Sequence, residues 1–355
     1  MAVQTKACST VLLCGYYGEN NLGDDALLQI LLQDLPDHCQ ALITANDASS
    51  LLSMAPSARY VNRRSLLDVV RAVGQVNALV LGGGSLLQDS TSFKSLIYYL
   101  ILIAVAHQRR LPIVLWGQGL GPLDLRISRW LVRRVLPWAS VISWRDPESF
   151  EIAARWRINV PMLTAPDPVW QLPRREWQGG GAVVLCWRPT SLLDQSGWKL
   201  LILALQDLVR DIDAPIHWLA FHKKQDGPLL SQLNREGLMP ASLLSRSRTL
   251  FVDSVDSAMD HFVKARLVLP MRLHALILAQ LASSPTAALS YDPKVSAAAE
   301  IANLPCTHLQ SLPDASQLAE SWKATLDHPA DCEKISSICS MASQHGQVLR
   351  ETFDH

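Results

Sequence analysis

The chain has 355 residues, 49% hydrophobic, 18% charged and 6% aromatic, which suits two folded domains and excludes a disordered or low-complexity protein. Lys plus Arg equals Asp plus Glu at 32 each, so net charge gives no case for a nucleic-acid or membrane-surface partner. Seven cysteines without a CxxC, two of them (Cys14 and Cys186) in apolar runs, read as reduced thiols of a reducing compartment. The first residues lack the pattern of a secretory signal, and the longest apolar run, Leu96 to Ala106, is far short of a bilayer span. A cytoplasmic protein is expected.

Buried strands are predicted at "TVLLCG", "QALITAN", "NALVLGGG", "LPIVLWGQG" and "ASVISWRD". Helices are predicted between them at Asp24 to Leu35, Ser65 to Gly74, Lys94 to Arg110, Leu125 to Pro137 and Pro147 to Trp156. This alternation implies an α/β fold with a parallel sheet covered on both faces. Ala165 to Gly181, rich in Pro, Gly and charge, reads as a linker. The alternation restarts at "AVVLCWR" and runs through "PIHWLAFH", "TLFVD", "ARLVLPM" and "PTAALSYD". Two Rossmann-like domains, 1–170 and 180–305, are therefore expected around a central cleft at the carboxyl ends of their strands. Residues 306–355 read as C-terminal helices that pack back across the domains.

Candidate site residues cluster where strands end. In "GYYGENNLGDDALL", Gly15, Gly18 and Gly23 permit close turns ahead of a helix start that suits an anion or a sugar. Asp24 or Asp25 there caps the helix or serves an acceptor hydroxyl. "LGGGSLLQDSTSFKS" strips side chains at Gly82, Gly83 and Gly84, then supplies Ser85, Gln88 and Asp89 as polar groups; "WGQGLGPL" repeats the theme around Gln118. In the second half Arg188 ends a strand, and "FHKKQD" sets His222, Lys223, Lys224 and Asp226 beyond another. "MRLHALILAQL" places Arg272 and His274 at a helix start, where a guanidinium, an imidazole and free N–H groups converge on an anion. Lys294 in "SYDPKV" ends a further strand. Replacing Arg272 or His274 is expected to leave the protein folded, as each reads as a polar group at a helix start. The chain has no P-loop, HExxH, GxSxG or DxD pair, so no metal site is expected and the ligand's charge falls to Arg, Lys, His and helix dipoles.

Taken together, "GYYGENNLGDDALL", "LGGGSLLQDSTSFKSLIYYL", "GQGLGP", "WRDPES", "APDPVW", "MRLHALILA" and "SYDPKV", co-linear from Val11 to Val295, resemble the polysaccharide pyruvyl transferase family, especially its CsaB-type branch. The resemblance implies a glycosyltransferase-B-like fold. It also implies transfer of pyruvate from phosphoenolpyruvate to a sugar of a cell-surface polysaccharide or its lipid-linked precursor, as a cyclic ketal, with release of phosphate. Phosphoenolpyruvate is then the donor substrate and no cofactor is required. The donor site falls on the C-terminal half, with His274 as acid or phosphate ligand and Arg272, Arg188 and Lys294 binding the anion. Asp24 or Asp89, with Gly82, Gly83, Gly84, Ser85, Gln88 and Gln118, serves the acceptor side. The sequence reads "GDDA" where GDEA is common, which shortens one carboxylate at Asp25. The partners implied are phosphoenolpyruvate and a glycan or lipid-linked oligosaccharide, with peripheral membrane contact made through the latter, and no nucleic acid. A nucleotide-sugar glycosyltransferase on the same architecture is the alternative. A dinucleotide oxidoreductase is disfavoured by the missing GxGxxG, and a plain glycan-binding module by the concentrated positive charge.

Overall fold

A computed structural model of the protein describes residues 9–326 and 328–354; Cys8 lies outside them. The chain passes from a first unit to a second between Gln171 and Leu172, within the stretch marked above as a linker. The first unit holds residues 9–19, 24–171 and 340–354, and the second holds 172–339 together with the loop Asn20–Gly23.

The first unit alternates β1 (Ser9–Tyr17), α1 (Leu22–Asp34), β2 (Cys39–Ala45), β3 (Arg59–Asn62), α2 (Leu66–Val73), β4 (Ala78–Leu87), α3 (Phe93–Gln108), β5 (Ile113–Leu120), α4 (Arg126–Val135), β6 (Val141–Trp144), α5 (Pro147–Arg155) and β7 (Met162–Thr164). All seven strands are parallel, in the order β3-β2-β1-β4-β5-β6-β7. The order reverses beside β1, which puts a topological switch point between β1 and β4. Central strands read as unbroken apolar runs because both faces are covered: every residue of β5 is buried. Local chemistry starts the helices. Ser92 accepts from the Ser95 N–H at 3.2 Å ahead of α3, and Asp146 accepts from the Ser149 N–H ahead of α5, with Pro147 in its first turn.

The second unit contains β8 (Val183–Cys186), α6 (Gln195–Ile212), β9 (Ile216–Ala220), α7 (Lys223–Asp226), α8 (Leu229–Arg235), α9 (Ala241–Leu244), β10 (Ser247–Phe251), α10 (Val255–Val263), β11 (Leu267–Pro270), α11 (Leu273–Leu281), β12 (Ala288–Ser290), α12 (Pro293–Ile301), β13 (Cys306–His308) and α13 (Ala315–Lys323). Its parallel sheet runs β10-β9-β8-β11, and a parallel bridge from Val268 to Thr286 leads on to the β12-β13 pair. Trp187, Trp218, Leu201 and Trp322 belong to one apolar core.

The segment 306–355 is not a body of its own. β13 pairs with β12, and Leu318 and Trp322 of α13 enter the second core. The division falls inside α14 (Cys332–Ala342), while α15 (Gln344–Phe353) belongs to the first unit. There His345 is fully buried, holding the Pro166 carbonyl at 2.9 Å beside the Trp116 ring. Cys14 and Cys186 are buried thiols, and burial pushes Cys14 up to about 12. Among the described residues no helix is long and apolar enough to cross a membrane.

Candidate functional site

In the first unit the polar and glycine-rich residues gather at the carboxyl ends of β4 and β5. Gly82 and Gly83 are closed off by their own unit: a Cβ at Gly82 would lie 2.4 Å from the Tyr17 hydroxyl, and one at Gly83 would lie 2.8 Å from Leu27. Gly84 differs. Its φ of +82° is left-handed like that of Gly83, but the nearest atom to a Cβ there would be Asp24 Oδ1 at 3.6 Å. Asp24 does not precede its helix; α1 begins two residues earlier, at Leu22, so both aspartates stand in its first turn.

Gln118 is fully buried, and its amide nitrogen donates to the carbonyls of Leu81 and Gly83 at 3.1 and 3.3 Å. It therefore pins the glycine turn from beneath. Ser85 accepts a 2.8 Å hydrogen bond from Arg145, whose guanidinium also pairs with buried Asp167 at 3.1 Å. Arg145 and Asp167, within "WRDPES" and "APDPVW", are the residues of this edge that the sequence reading left unassigned. Glu19 is another: buried, it takes Arg63 at 2.5 Å and Arg64 at 3.0 Å. Asp89 accepts from the backbone N–H groups of Asp124 and Leu125 at 2.7 and 3.0 Å, just ahead of α4. Gln88 is turned toward Ser90 and Thr91.

In the second unit Arg188, His222, Asp226, Arg272, His274 and Lys294 follow β8, β9, β11 and β12, all at the carboxyl edge of parallel strands. Arg272 is held in a forked pair with Asp226, one arm at 3.2 Å and the other closer, and also donates to Gln225 at 3.1 Å. The side chains of this pair are 13% and 2% exposed. Removing Arg272 would strand a buried carboxylate, so the expectation of an innocuous replacement is revised. Arg188 has no carboxylate partner among the described residues: it lies 4.8 Å over the Tyr291 ring and donates to the Tyr291 hydroxyl at 3.0 Å. Lys294 pairs with Asp292 at 3.2 Å.

His222 accepts from the Gln225 N–H, and burial followed by the nearby Arg272 charge lowers its pKa. Arg188 and Arg272 follow β8 and β11, which are neighbours in the sheet. The loop Asn20–Gly23 belongs to this site: the Leu22 N–H donates to the Phe221 carbonyl at 2.9 Å, and Asn21 bridges to His222. A Cβ at Gly23 would lie 2.1 Å from His274 Nδ1, so a glycine there is what lets the imidazole seat against the loop. His274 itself lies in the first turn of α11, where unpaired backbone N–H groups favour negative charge. Among the described residues no group of three or more His, Cys, Asp or Glu is placed to hold a metal ion.

Two Rossmann-like units of parallel strands, with the candidate residues at their carboxyl edges, define the glycosyltransferase-B-like class. Solved structures bear out that assignment of the fold. The chain is similar to Anabaena Alr3699/HepE in complex with UDP and glucose at 15% identity, covering 98% of this chain and 99% of that one, with a TM-score of 0.59. It is similar to a putative UDP-N-acetylglucosamine 2-epimerase from Listeria monocytogenes at 10% identity, 98% of each chain and a TM-score of 0.65. The UDP-GlcNAc 2-epimerase from Neisseria meningitidis bound to UDP-GlcNAc aligns at 11% identity, 97% and 99% coverage and a TM-score of 0.63. No curated protein matches the chain in sequence. Residues 21–293 match the model of the polysaccharide pyruvyl transferase family, and the chain belongs to that family of transferases.

Proposed function

We propose that the protein transfers pyruvate from phosphoenolpyruvate to two hydroxyls of a sugar, forming a cyclic ketal and releasing inorganic phosphate. The observation that carries this reading is the second unit's carboxyl edge. Arg188, without a carboxylate partner, and Arg272 follow the neighbouring strands β8 and β11, and His274 sits at a helix start. A phosphate of roughly −1.5 to −2 near neutral pH, together with a carboxylate, needs that concentration of positive charge. Arg188 supplies net charge. Arg272, its charge matched by Asp226, supplies N–H donors fixed in direction.

The chemistry requires a proton at the methylene carbon, which becomes the methyl group as C2 gains positive character. One sugar hydroxyl adds to C2 and loses its proton. The C2–O bond to phosphate then breaks, the second hydroxyl adds, and the proton it releases leaves with phosphate. His274 is assigned the first proton transfer, and the cations stabilise the departing phosphate. Asp24, beside the open face of Gly84 in the first unit, is the candidate base for an acceptor hydroxyl.

The test is incubation with phosphoenolpyruvate and a panel of aryl and lipid-linked glycosides in D2O. The expected products are inorganic phosphate and a pyruvylidene glycoside with one deuterium in its methyl group. His274→Gln, which keeps a donor and loses the acid, should depress turnover more than donor affinity. Arg188→Ala should raise the KM for phosphoenolpyruvate about tenfold or more without loss of stability. Because the Anabaena structure holds UDP and glucose, glycosyl transfer from a nucleotide sugar is the competing reading. UDP release from UDP-glucose, with no phosphate from phosphoenolpyruvate, would favour it.

A further inference from the structure

α4 reads Arg-Ile-Ser-Arg-Trp-Leu-Val-Arg-Arg-Val, with no acidic residue. Its inner face buries Ser128, Val132 and Val135, which leaves Arg126, Trp130, Arg133 and Arg134 on the outer arc. The helix also shows apolar surface to solvent: Trp130 is 58% exposed, Ile127 49% and Leu125, just ahead of it, 47%. Beside it lies a groove of about 590 Å³ lined by Trp130, Trp138, Trp156, Arg133, Arg134 and Arg157, with no carboxylate in its wall. None of these arginines has a carboxylate partner among the described residues.

Such a face is unusual for a chain whose charges balance overall. Unpaired arginines interleaved with exposed tryptophan and aliphatic side chains match an anionic bilayer surface: guanidinium groups meet lipid phosphates, and indoles sit at headgroup depth. An exposed apolar patch with no such partner would be a liability. We propose that α4 and its tryptophan-lined groove dock the protein on an anionic lipid bilayer. The placement has a chemical logic. Asp89 caps the turn that leads into α4, so the docked helix begins at the polar loop Gln88 to Ser92 after the glycine turn of β4. A lipid-linked sugar held at the membrane would meet the first unit beside that loop. The docking proposal rests on the surface and not on the pyruvyl-transfer reading.

The test is co-sedimentation of the full chain with vesicles of phosphatidylcholine alone, or carrying about a third phosphatidylglycerol. Binding is expected to the mixed vesicles, to weaken as salt is raised, and to be absent on phosphatidylcholine alone. R133E/R134E should lower the partition coefficient about tenfold or more, and Trp130→Ala several-fold. Both variants should keep the wild-type melting temperature because these side chains are exposed. Failure of the wild type to bind, equal binding to neutral vesicles, or undiminished binding by R133E/R134E would overturn the proposal. So would self-association in solution that R133E/R134E abolishes while vesicle binding is lacking, since the face would then be an interface between copies. The assay contains neither phosphoenolpyruvate nor sugar, so its outcome is read separately from that of pyruvyl transfer.

Discussion

At the carboxyl edge of the seven-stranded sheet, Arg145 is enclosed and committed to Asp167 and Ser85, Gln118 is buried beneath the glycine turn, and Gly84 leaves the backbone bare beside Asp24. At the edge of the four-stranded sheet, long cationic side chains stand partly open, and one of them, Arg188, rests on an aromatic ring in place of a carboxylate. The first edge offers main chain and a carboxylate, which suits hydroxyl groups. The second offers positive charge, which suits an anion. The same strand-end position in two similar sheets is thus filled with opposite chemistry.

Arg272→Ala should have the largest effect, because it removes directed donors and leaves Asp226 buried without its partner. A loss of about 3–5 kcal/mol in stability is expected from urea unfolding, together with loss of turnover. Arg272→Met combined with Asp226→Leu should recover much of the stability and none of the activity; recovery of activity would mean that the pair only holds the fold. Arg145→Ala should cost about 3 kcal/mol in the same measurement, since Asp167 is then left buried. Donor KM, measured under conditions where that variant is folded, should stay near wild type. A KM effect matching that of Arg188→Ala would dissolve the contrast between the two edges.

Gly23→Ala tests the seat of His274. The new methyl group must displace the imidazole, so turnover should fall about 10- to 100-fold while donor affinity changes little. The smallest effect at neutral pH is expected for His345→Gln. Burial depresses the pKa of His345 to about 4, against 6.5 in the unfolded chain. Its neutral form therefore adds stability in full above pH 6.5, and that contribution, up to about 3 kcal/mol, is lost as the pH falls toward 4. Gln keeps a donor for the Pro166 carbonyl and should flatten the melting-temperature profile between pH 4 and 6.5.

Much of the fold was legible because buried parallel strands are apolar runs, and seven of the runs quoted at the outset end in a glycine or a charged residue. β3, four residues with exposed ends, and the partly exposed three-residue β7 and β13 carry no apolar run or period in the sequence. The Asp-Pro of "WRDPES" and of "SYDPKV" proved to be helix starts: Asp146 and Asp292 cap α5 and α12, with a proline in each first turn. Candidate site positions were legible as strand ends. Their partners were not. Asp226 follows β9 and Arg272 follows β11, strands that do not neighbour each other, and a pairing across 46 residues depends on sheet order that no local pattern encodes. Arg145 and Asp167 follow β6 and β7, which are adjacent, yet their pairing across 22 residues is marked by no local pattern either.

Neither unit is a continuous stretch of polypeptide. The first is begun by residues 9–19, resumed from Asp24 and completed by residues 340–354, and the second borrows Asn20–Gly23 from near the start. The Trp116 indole donates to the His345 carbonyl across 229 residues of intervening chain. During synthesis β5 must therefore wait for its covering helix until most of the protein has been made, with apolar surface open to chaperones in the interval. Cutting the gene between Gln171 and Leu172 would not yield two self-sufficient pieces either. The front piece would lack the histidine that packs beside Trp116, and the back piece would lack the glycine on which His274 rests. In this protein the unit of folding is the whole ribbon, laced back through its own beginning.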